Sequence, residues 1–121
     1  MPQPSATPPQ PRARDHYHVY VIELARGVLK HRRFREENPD YQGEQACLYV
    51  GLTGLTPEQR FEQHRAGVKS GRYPHKYGRW LRPRLYRRFN PMSYAAAVLR
   101  EQELAKELRR KGYAVWQRGG S

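Results

Sequence analysis

The sequence predicts an α+β domain in which a small sheet packs against helices. Two short segments are rich in β-branched and aromatic residues, as strands are. A Thr-Pro-Glu-Gln tetrapeptide carries the signals of a helix start, and a later segment repeats its apolar residues at intervals of three and four, which is typical of one helix face. A chain of 121 residues is long enough for one modest core and too short for two.

The first half of the chain is predicted to hold a tail, two strands and an insertion. Five of the ten prolines lie in residues 1–11, which favours a disordered tail over 1–14 and a domain over 15–121. Strands are predicted over 17–24 and 46–51. The charged residues 26–45 between them are broken by Pro39 and Gly43, which indicates an inserted loop whose ends meet if the strands pair antiparallel.

The first helix is predicted to run from Thr56 to about Val68, because Thr56 can cap it, Pro57 suits its first position and Gln59 completes a capping box. Residues 72–90 contain two prolines and a glycine, which favours short helical pieces or loop.

A second helix is predicted to begin between Asn90 and Ser93 and to end at Gly112, after a basic run that suits a helix C-terminus. Residues 113–117 are then predicted to form a third strand. The apolar positions of this helix are Ala97, Val98, Leu104, Ala105 and Leu108.

The chain is strongly basic, with 23 Lys and Arg against 11 Asp and Glu and a formal net charge of +12. Such self-repulsion is relieved by a polyanion, so nucleic acid is the expected partner. Residues 65–90 hold nine basic residues and no acidic one, with aromatic residues between them, as in many nucleic-acid surfaces. The simpler interpretation is a solvated face, and we expect at least half of these aromatic residues to be core. The predicted DNA-contacting residues are Arg65, Lys69, Arg72, Lys76, Arg79, Arg82, Arg84, Arg87 and Arg88.

The lone Cys47 excludes an intramolecular disulfide and a cysteine zinc site within the chain, and its apolar neighbours favour a buried thiol. No apolar run approaches the roughly 20 residues of a membrane span, and no signal peptide is visible. We therefore expect a cytoplasmic protein with no membrane partner.

In addition to Glu101, four residues are candidates for a catalytic role. Strand alternation allows Tyr20 and Tyr49 to share one face of the sheet, although two core tyrosines would show the same pattern. Arg60 and His64 are one turn apart on the first predicted helix, where an exposed helix face is the ordinary explanation.

Glu101 lies on the apolar stripe of the second predicted helix. A carboxylate that faces a core loses several kcal/mol of solvation unless it is paired, hydrogen-bonded or bound to a cation. A side chain that reaches solvent at the edge of the stripe, or an ion pair with an arginine, would explain it as well.

Four features follow one another along the chain, namely His18-Val19-Tyr20, Tyr49-Val50-Gly51, Arg60 with His64, and Glu101. In this order they resemble the pattern of the GIY-YIG nuclease superfamily, and the resemblance covers residues 17 to about 117. The resemblance implies a three-stranded antiparallel sheet flanked by helices in a stand-alone, single-domain member. It also implies cleavage of phosphodiester bonds with one divalent metal ion and no small-molecule cofactor.

The resemblance implies five catalytic residues. Glu101 would hold Mg²⁺ or Mn²⁺, which accept one or two protein carboxylates and fill the remaining positions with water and phosphate. Arg60 would stabilise the charge of the transition state, and Tyr20 and Tyr49 would orient or deprotonate the attacking water with His64 nearby. Either a tyrosine with a lowered pKa or His64 could be the base.

The chain departs from the family pattern in its first motif, which reads His-Val-Tyr instead of Gly-Ile-Tyr, and in a longer spacer between the first and second motifs. It also lacks the asparagine often found beyond the metal-binding glutamate, and it has Leu52-Thr53 where some members place a lysine. We expect a DNA endonuclease that is structure-selective or weakly sequence-specific. The alternatives are a catalytically silent nucleic-acid-binding module on the same scaffold and a small RNA-binding protein, and the oligomeric state stays open.

Overall fold

A computed structural model describes residues 15–117, which form one four-stranded mixed sheet and four α-helices. The tail predicted for residues 1–14 lies outside the described residues. The strands are β1 (His18–Leu24), β2 (Cys47–Thr53), β3 (Gly78–Leu81) and β4 (Ala114–Gln117). The helices are α1 (Arg32–Glu36), α2 (Pro57–Ala66), α3 (Arg72–Tyr77) and α4 (Tyr94–Arg110).

The strand order is β3-β1-β2-β4, with β1 antiparallel to both neighbours and β4 parallel to β2. The α+β class is confirmed, but the expected three-stranded antiparallel sheet is wrong in strand number and in direction. The connection from β2 to β4 runs through α2, α3, the edge strand β3 and α4, and parallel neighbours such as β2 and β4 need a long crossover of this kind. The additional strand, β3, is short and lies at the sheet edge, directly before Arg82-Pro83.

The insertion between β1 and β2 folds as a 3₁₀ turn (Arg26–Lys30) followed by α1. Its ends meet as expected, because β1 and β2 pair through to Leu24 opposite Cys47. Asn38 ties the insertion to β4: its amide donates to the Val115 carbonyl at 3.0 Å, and its Oδ1 accepts from the Val115 backbone nitrogen at 2.7 Å. This buried side chain replaces strand pairing that the insertion lacks.

Both predicted helices begin and end as the sequence indicates. Thr56 and Gln59 form the reciprocal capping box of α2, which ends at left-handed Gly67. Ser93 caps α4 through the Ala96 backbone nitrogen, and Gly112 follows its end with a φ of 99°. The buried residues of α4 are Ala97, Glu101, Leu104, Ala105 and Leu108.

Cys47 is buried, as predicted, and burial raises the pKa of its thiol. Within residues 15–117, no helix has the length and apolar character to cross a bilayer.

Candidate active site

The two motif tyrosines lie side by side on one face of the sheet. In the β1–β2 register Tyr20 pairs with Gly51 and Tyr49 pairs with Ile22, which makes the tyrosines diagonal neighbours. Their ring centroids are 6.1 Å apart, and both side chains are buried. The shared face predicted from strand alternation is therefore confirmed.

Gly51 creates the space in which the Tyr20 ring lies. A Cβ at position 51 would stand 2.6 Å from the Tyr20 hydroxyl oxygen and 2.7 Å from Cζ, closer than real Cβ contacts come. The glycine of the second motif thus allows the tyrosine of the first to cross the neighbouring strand. This close approach fixes where the phenol ends.

His64 receives that phenol. Its Nε2 lies 2.8 Å from the Tyr20 hydroxyl, and its Nδ1 lies 2.6 Å from the Ser70 hydroxyl. Because Ser70 gives its only hydroxyl proton to the Gly71 carbonyl, at 3.1 Å, Nδ1 carries the imidazole proton and donates it to Ser70. This assignment, made from the hydrogen-bond network, leaves Nε2 to accept from Tyr20. The Tyr49 ring meets the same imidazole edge-on at 5.5 Å.

Both partners of the Tyr20–His64 hydrogen bond are neutral at neutral pH. Burial and then the charges of Arg60 and His75 lower the pKa of His64 to about 4. Burial and then the neighbouring Tyr49 raise the pKa of Tyr20 well above its usual value, while Arg60 opposes this shift. His64 is fully buried, so the ordinary explanation of an exposed Arg-His helix face is wrong for it.

Arg60 is half-buried and faces this cluster with a partly occupied guanidinium. Its Nη1 donates to the Gln63 side chain at 2.9 Å and to the Val68 carbonyl at 3.2 Å, and its Nη2 donates to the Lys69 carbonyl at 2.8 Å. A guanidinium has five N–H donors. These three hydrogen bonds leave donor capacity on the guanidinium, which also hydrogen-bonds Tyr20.

Glu101 is only 3% exposed, on the face of α4 that packs against the sheet. The alternative of a glutamate that reaches solvent is therefore wrong. Within residues 15–117, no three His, Cys, Asp or Glu side chains gather as an ion cage. This donor set fits Mg²⁺ or Mn²⁺ held by one carboxylate, with water and substrate phosphate as the other ligands, and does not fit a zinc ion enclosed by protein.

The basic residues of positions 65–90 are exposed except Arg82, whose Nη1 lies 2.8 Å from Glu23 on β1. Among the ion pairs of residues 15–117, this stretch therefore has one carboxylate partner, which comes from a distant part of the chain. Of the five aromatic residues in the stretch, Tyr73, Tyr77 and Tyr86 are buried, which confirms that at least half are core. Trp80 is 47% exposed.

Sequence reasoning missed three polar residues that hold the cluster in place. Ser70 fixes the His64 tautomer, Gln63 binds Arg60, and His75 donates from Nδ1 to the His64 carbonyl at 2.9 Å. None lies at a diagnostic spacing. A search limited to charged and aromatic motif residues passes over them.

A comparison with protein-family models matches residues 16–114 to the GIY-YIG catalytic domain, which is more than half of the chain. The chain belongs to the GIY-YIG family. Members of this family are typically endonucleases, act on nucleic acid and generally use a divalent metal ion. Comparisons with curated proteins and with solved structures found no significant match.

Proposed function

We propose that this GIY-YIG protein is a metal-dependent DNA endonuclease whose cleavage is structure-selective or only weakly sequence-specific. The observation that carries the proposal is the buried Tyr20–His64 hydrogen bond, with Tyr49 and Arg60 beside it, in a member of a nuclease family. The net charge of +12 favours a polyanionic substrate.

Tyr20 and His64 would together take up the proton of the attacking water. The Tyr20 oxygen can accept a hydrogen bond from water while its own proton moves along the 2.8 Å contact to His64 Nε2. The pKa of His64, about 4 in the free protein, opposes this transfer. A phosphodiester bound nearby brings negative charge that favours the imidazolium, so the pair would become a better base when substrate is present. Tyr49 would help to orient the water.

Arg60 would stabilise charge on the phosphate oxygens with the donor capacity that its hydrogen bonds to the protein leave over. Glu101 would hold Mg²⁺ or Mn²⁺, which supplies further neutralisation of the phosphate charge when it is bound. The nine basic residues of positions 65–90 would bind the DNA backbone, with Arg82 contributing least because Glu23 already neutralises it.

The direct test compares two glutamate variants of the same helix. Glu101→Gln should abolish cleavage of branched and supercoiled DNA, whereas Glu103→Gln, which changes an exposed side chain, should cleave normally. Chelator should stop the wild-type protein and added Mg²⁺ or Mn²⁺ should restore it. Cleavage by Glu101→Gln at the wild-type rate, or by the wild type in chelator, would refute the proposed mechanism.

A second candidate function is a nucleic-acid-binding module without activity. The observation that favours it is that Tyr20 is fully buried and Arg60 is already bound to three protein acceptors. Salt-sensitive DNA binding without cleavage under any metal would establish this function instead. Matched DNA and RNA substrates would show which nucleic acid the protein prefers.

A further inference from the structure

A cavity of about 200 Å³ opens where the insertion, α3 and β4 meet. Arg33, Arg72, Tyr73 and Trp116 line it. The Tyr73 and Trp116 rings stand perpendicular with centroids 4.8 Å apart, and the buried Phe34 lies nearly parallel to Trp116 at 6.4 Å. The aromatic rings of the cavity are therefore held in fixed orientations by core packing.

The mouth of the cavity is strongly cationic. Arg33 and Arg72 are both exposed, and neither forms an ion pair within residues 15–117. His31 of the insertion lies 2.7 Å from the hydroxyl of Tyr77 on α3. Partial burial and then the charges around it lower the pKa of His31. Those charges are Lys30, Lys76, Arg72 and Arg35. The carboxylates of the insertion that form ion pairs, Glu36 and Glu37, pair with Arg32 and Arg109, so within residues 15–117 neither neutralises Arg33 or Arg72 through an ion pair.

The cavity adjoins the candidate active site. Trp116 pairs with Tyr49 in the parallel β2–β4 register, so both side chains point to the same face from strands about 4.8 Å apart. Ser70, which binds His64, precedes Arg72 by two residues at the start of α3. A ligand in the cavity would therefore lie one strand away from the tyrosine–histidine cluster.

We propose that this cavity binds one unpaired nucleotide of the DNA substrate, with its base against the half-buried Trp116, which the buried Tyr73 supports from the side, and its phosphates on Arg33 and Arg72. Bases inside a duplex are already stacked on their neighbours and cost a few kcal/mol to flip out, so an unpaired base offers its face to an aromatic side chain most readily. Since a water molecule takes about 30 Å³ in the liquid, the cavity has room for several waters, which suits one planar base and not a duplex. The insertion is then a substrate-recognition element. This inference rests on the proposed function, because it names the substrate class of the same site.

The test measures binding in chelator, where cleavage does not interfere. The ligands are a fully paired duplex, the same duplex with a single-stranded flap, and a flap whose first unpaired nucleotide is abasic. The double variant Arg33→Ala/Arg72→Ala should lose about tenfold of its preference for the flap over the duplex. The matched control Arg32→Ala/Arg110→Ala removes two other exposed charges and should keep the preference.

A fluorescence measurement reports the stacking directly. The chain has two tryptophans, and replacing the exposed one by Trp80→Phe leaves Trp116 as the only indole. The flap should quench the fluorescence of Trp116, and the abasic flap should not. Equal quenching by both flaps, an unchanged flap preference in Arg33→Ala/Arg72→Ala, or no preference for the flap in the wild type would overturn the proposal.

The outcomes also separate this inference from the proposed function. Flap preference that depends on Arg33 and Arg72 without cleavage in Mg²⁺ or Mn²⁺ would support the cavity and refute the endonuclease. Metal-dependent cleavage with equal affinity for flap and duplex would do the reverse.

Discussion

The close approach of Tyr20 to Gly51 leads to a sharp prediction for Gly51→Ala. The new methyl carbon would stand 2.6 Å from the Tyr20 hydroxyl oxygen, whereas ordinary contacts begin at about 3.4 Å. The ring or the strand must therefore move by about 0.8 Å, as the difference between these distances requires. Such a shift is large enough to break the 2.8 Å hydrogen bond to His64, because hydrogen bonds do not extend to 3.6 Å.

Two costs add in this variant. Overpacking a buried site costs about 1–3 kcal/mol, and a buried polar group that loses its partner costs about as much again. We expect the free energy of unfolding to fall by about 2–6 kcal/mol, which corresponds to a drop of about 1–3 M in the urea midpoint. Cleavage should fall by about 100-fold, since a catalytic group displaced by about 1 Å loses that much.

The assays are urea unfolding and DNA cleavage, each with Gly27→Ala as the control. A Cβ at position 27 would meet the Tyr77 ring at an ordinary 3.4 Å, so this variant should stay within about 0.5 kcal/mol of wild type and cleave normally. A Gly51→Ala protein with the wild-type midpoint and cleavage rate would refute the reasoning that the glycine makes room for the phenol.

Three further predictions test the network around the site and the insertion. Asn38→Ala should lower the free energy of unfolding by about 3 kcal/mol in urea titrations, because it removes two buried hydrogen bonds between the insertion and β4 and one to the Phe34 carbonyl within the insertion. A loss under about 0.5 kcal/mol would contradict this role. The pKa of His64 is about 4 in the folded protein and about 6.5 in the unfolded chain. Because the unfolded chain takes up the proton more readily, the contribution of the neutral imidazole to stability is complete above pH 6.5 and is lost as the pH falls to 4. Urea unfolding at a series of pH values should show this loss, which amounts to about 3 kcal/mol in full because one pKa unit corresponds to about 1.36 kcal/mol. The His64→Gln variant should lack this pH dependence. Ser70→Ala should lower the cleavage rate about tenfold, because it removes the hydrogen bond that supports the His64 imidazole, and Ser70→Thr should restore the rate. Full activity in Ser70→Ala would show that the His64 tautomer needs no such support.

Local signals in the sequence were sufficient for the helices and for the face of each tyrosine. The Thr56 capping box and the apolar stripe of α4 depend on residues three and four apart, so they can be recognised without the fold. The same holds for Tyr20 and Tyr49, because side chains alternate along every strand.

Register and topology required contacts between distant residues. Turn geometry fixes the register of a tight hairpin, but β1 and β2 are joined by a long insertion, so the pairing of Tyr20 with Gly51 could not be counted out along the chain. The strand β3 has four residues next to Arg82-Pro83 and pairs at an edge, which gave the sequence the appearance of loop. The Glu23–Arg82 ion pair joins β1 to this same region and was equally invisible.

Arg60 connects the structural and the chemical sides of the site. The loop after α2 holds Lys69 at a φ of 48°, a left-handed conformation that non-glycine residues rarely adopt. Arg60 binds the carbonyls of Val68 and Lys69, and the next residue, Ser70, then reaches His64. One guanidinium therefore fixes the loop that sets the imidazole tautomer and still faces the Tyr20 hydroxyl. A lysine at this position, with three donors on one nitrogen, could not bind Gln63 and both carbonyls and keep a donor for phosphate, which explains on physical grounds why arginine suits this position.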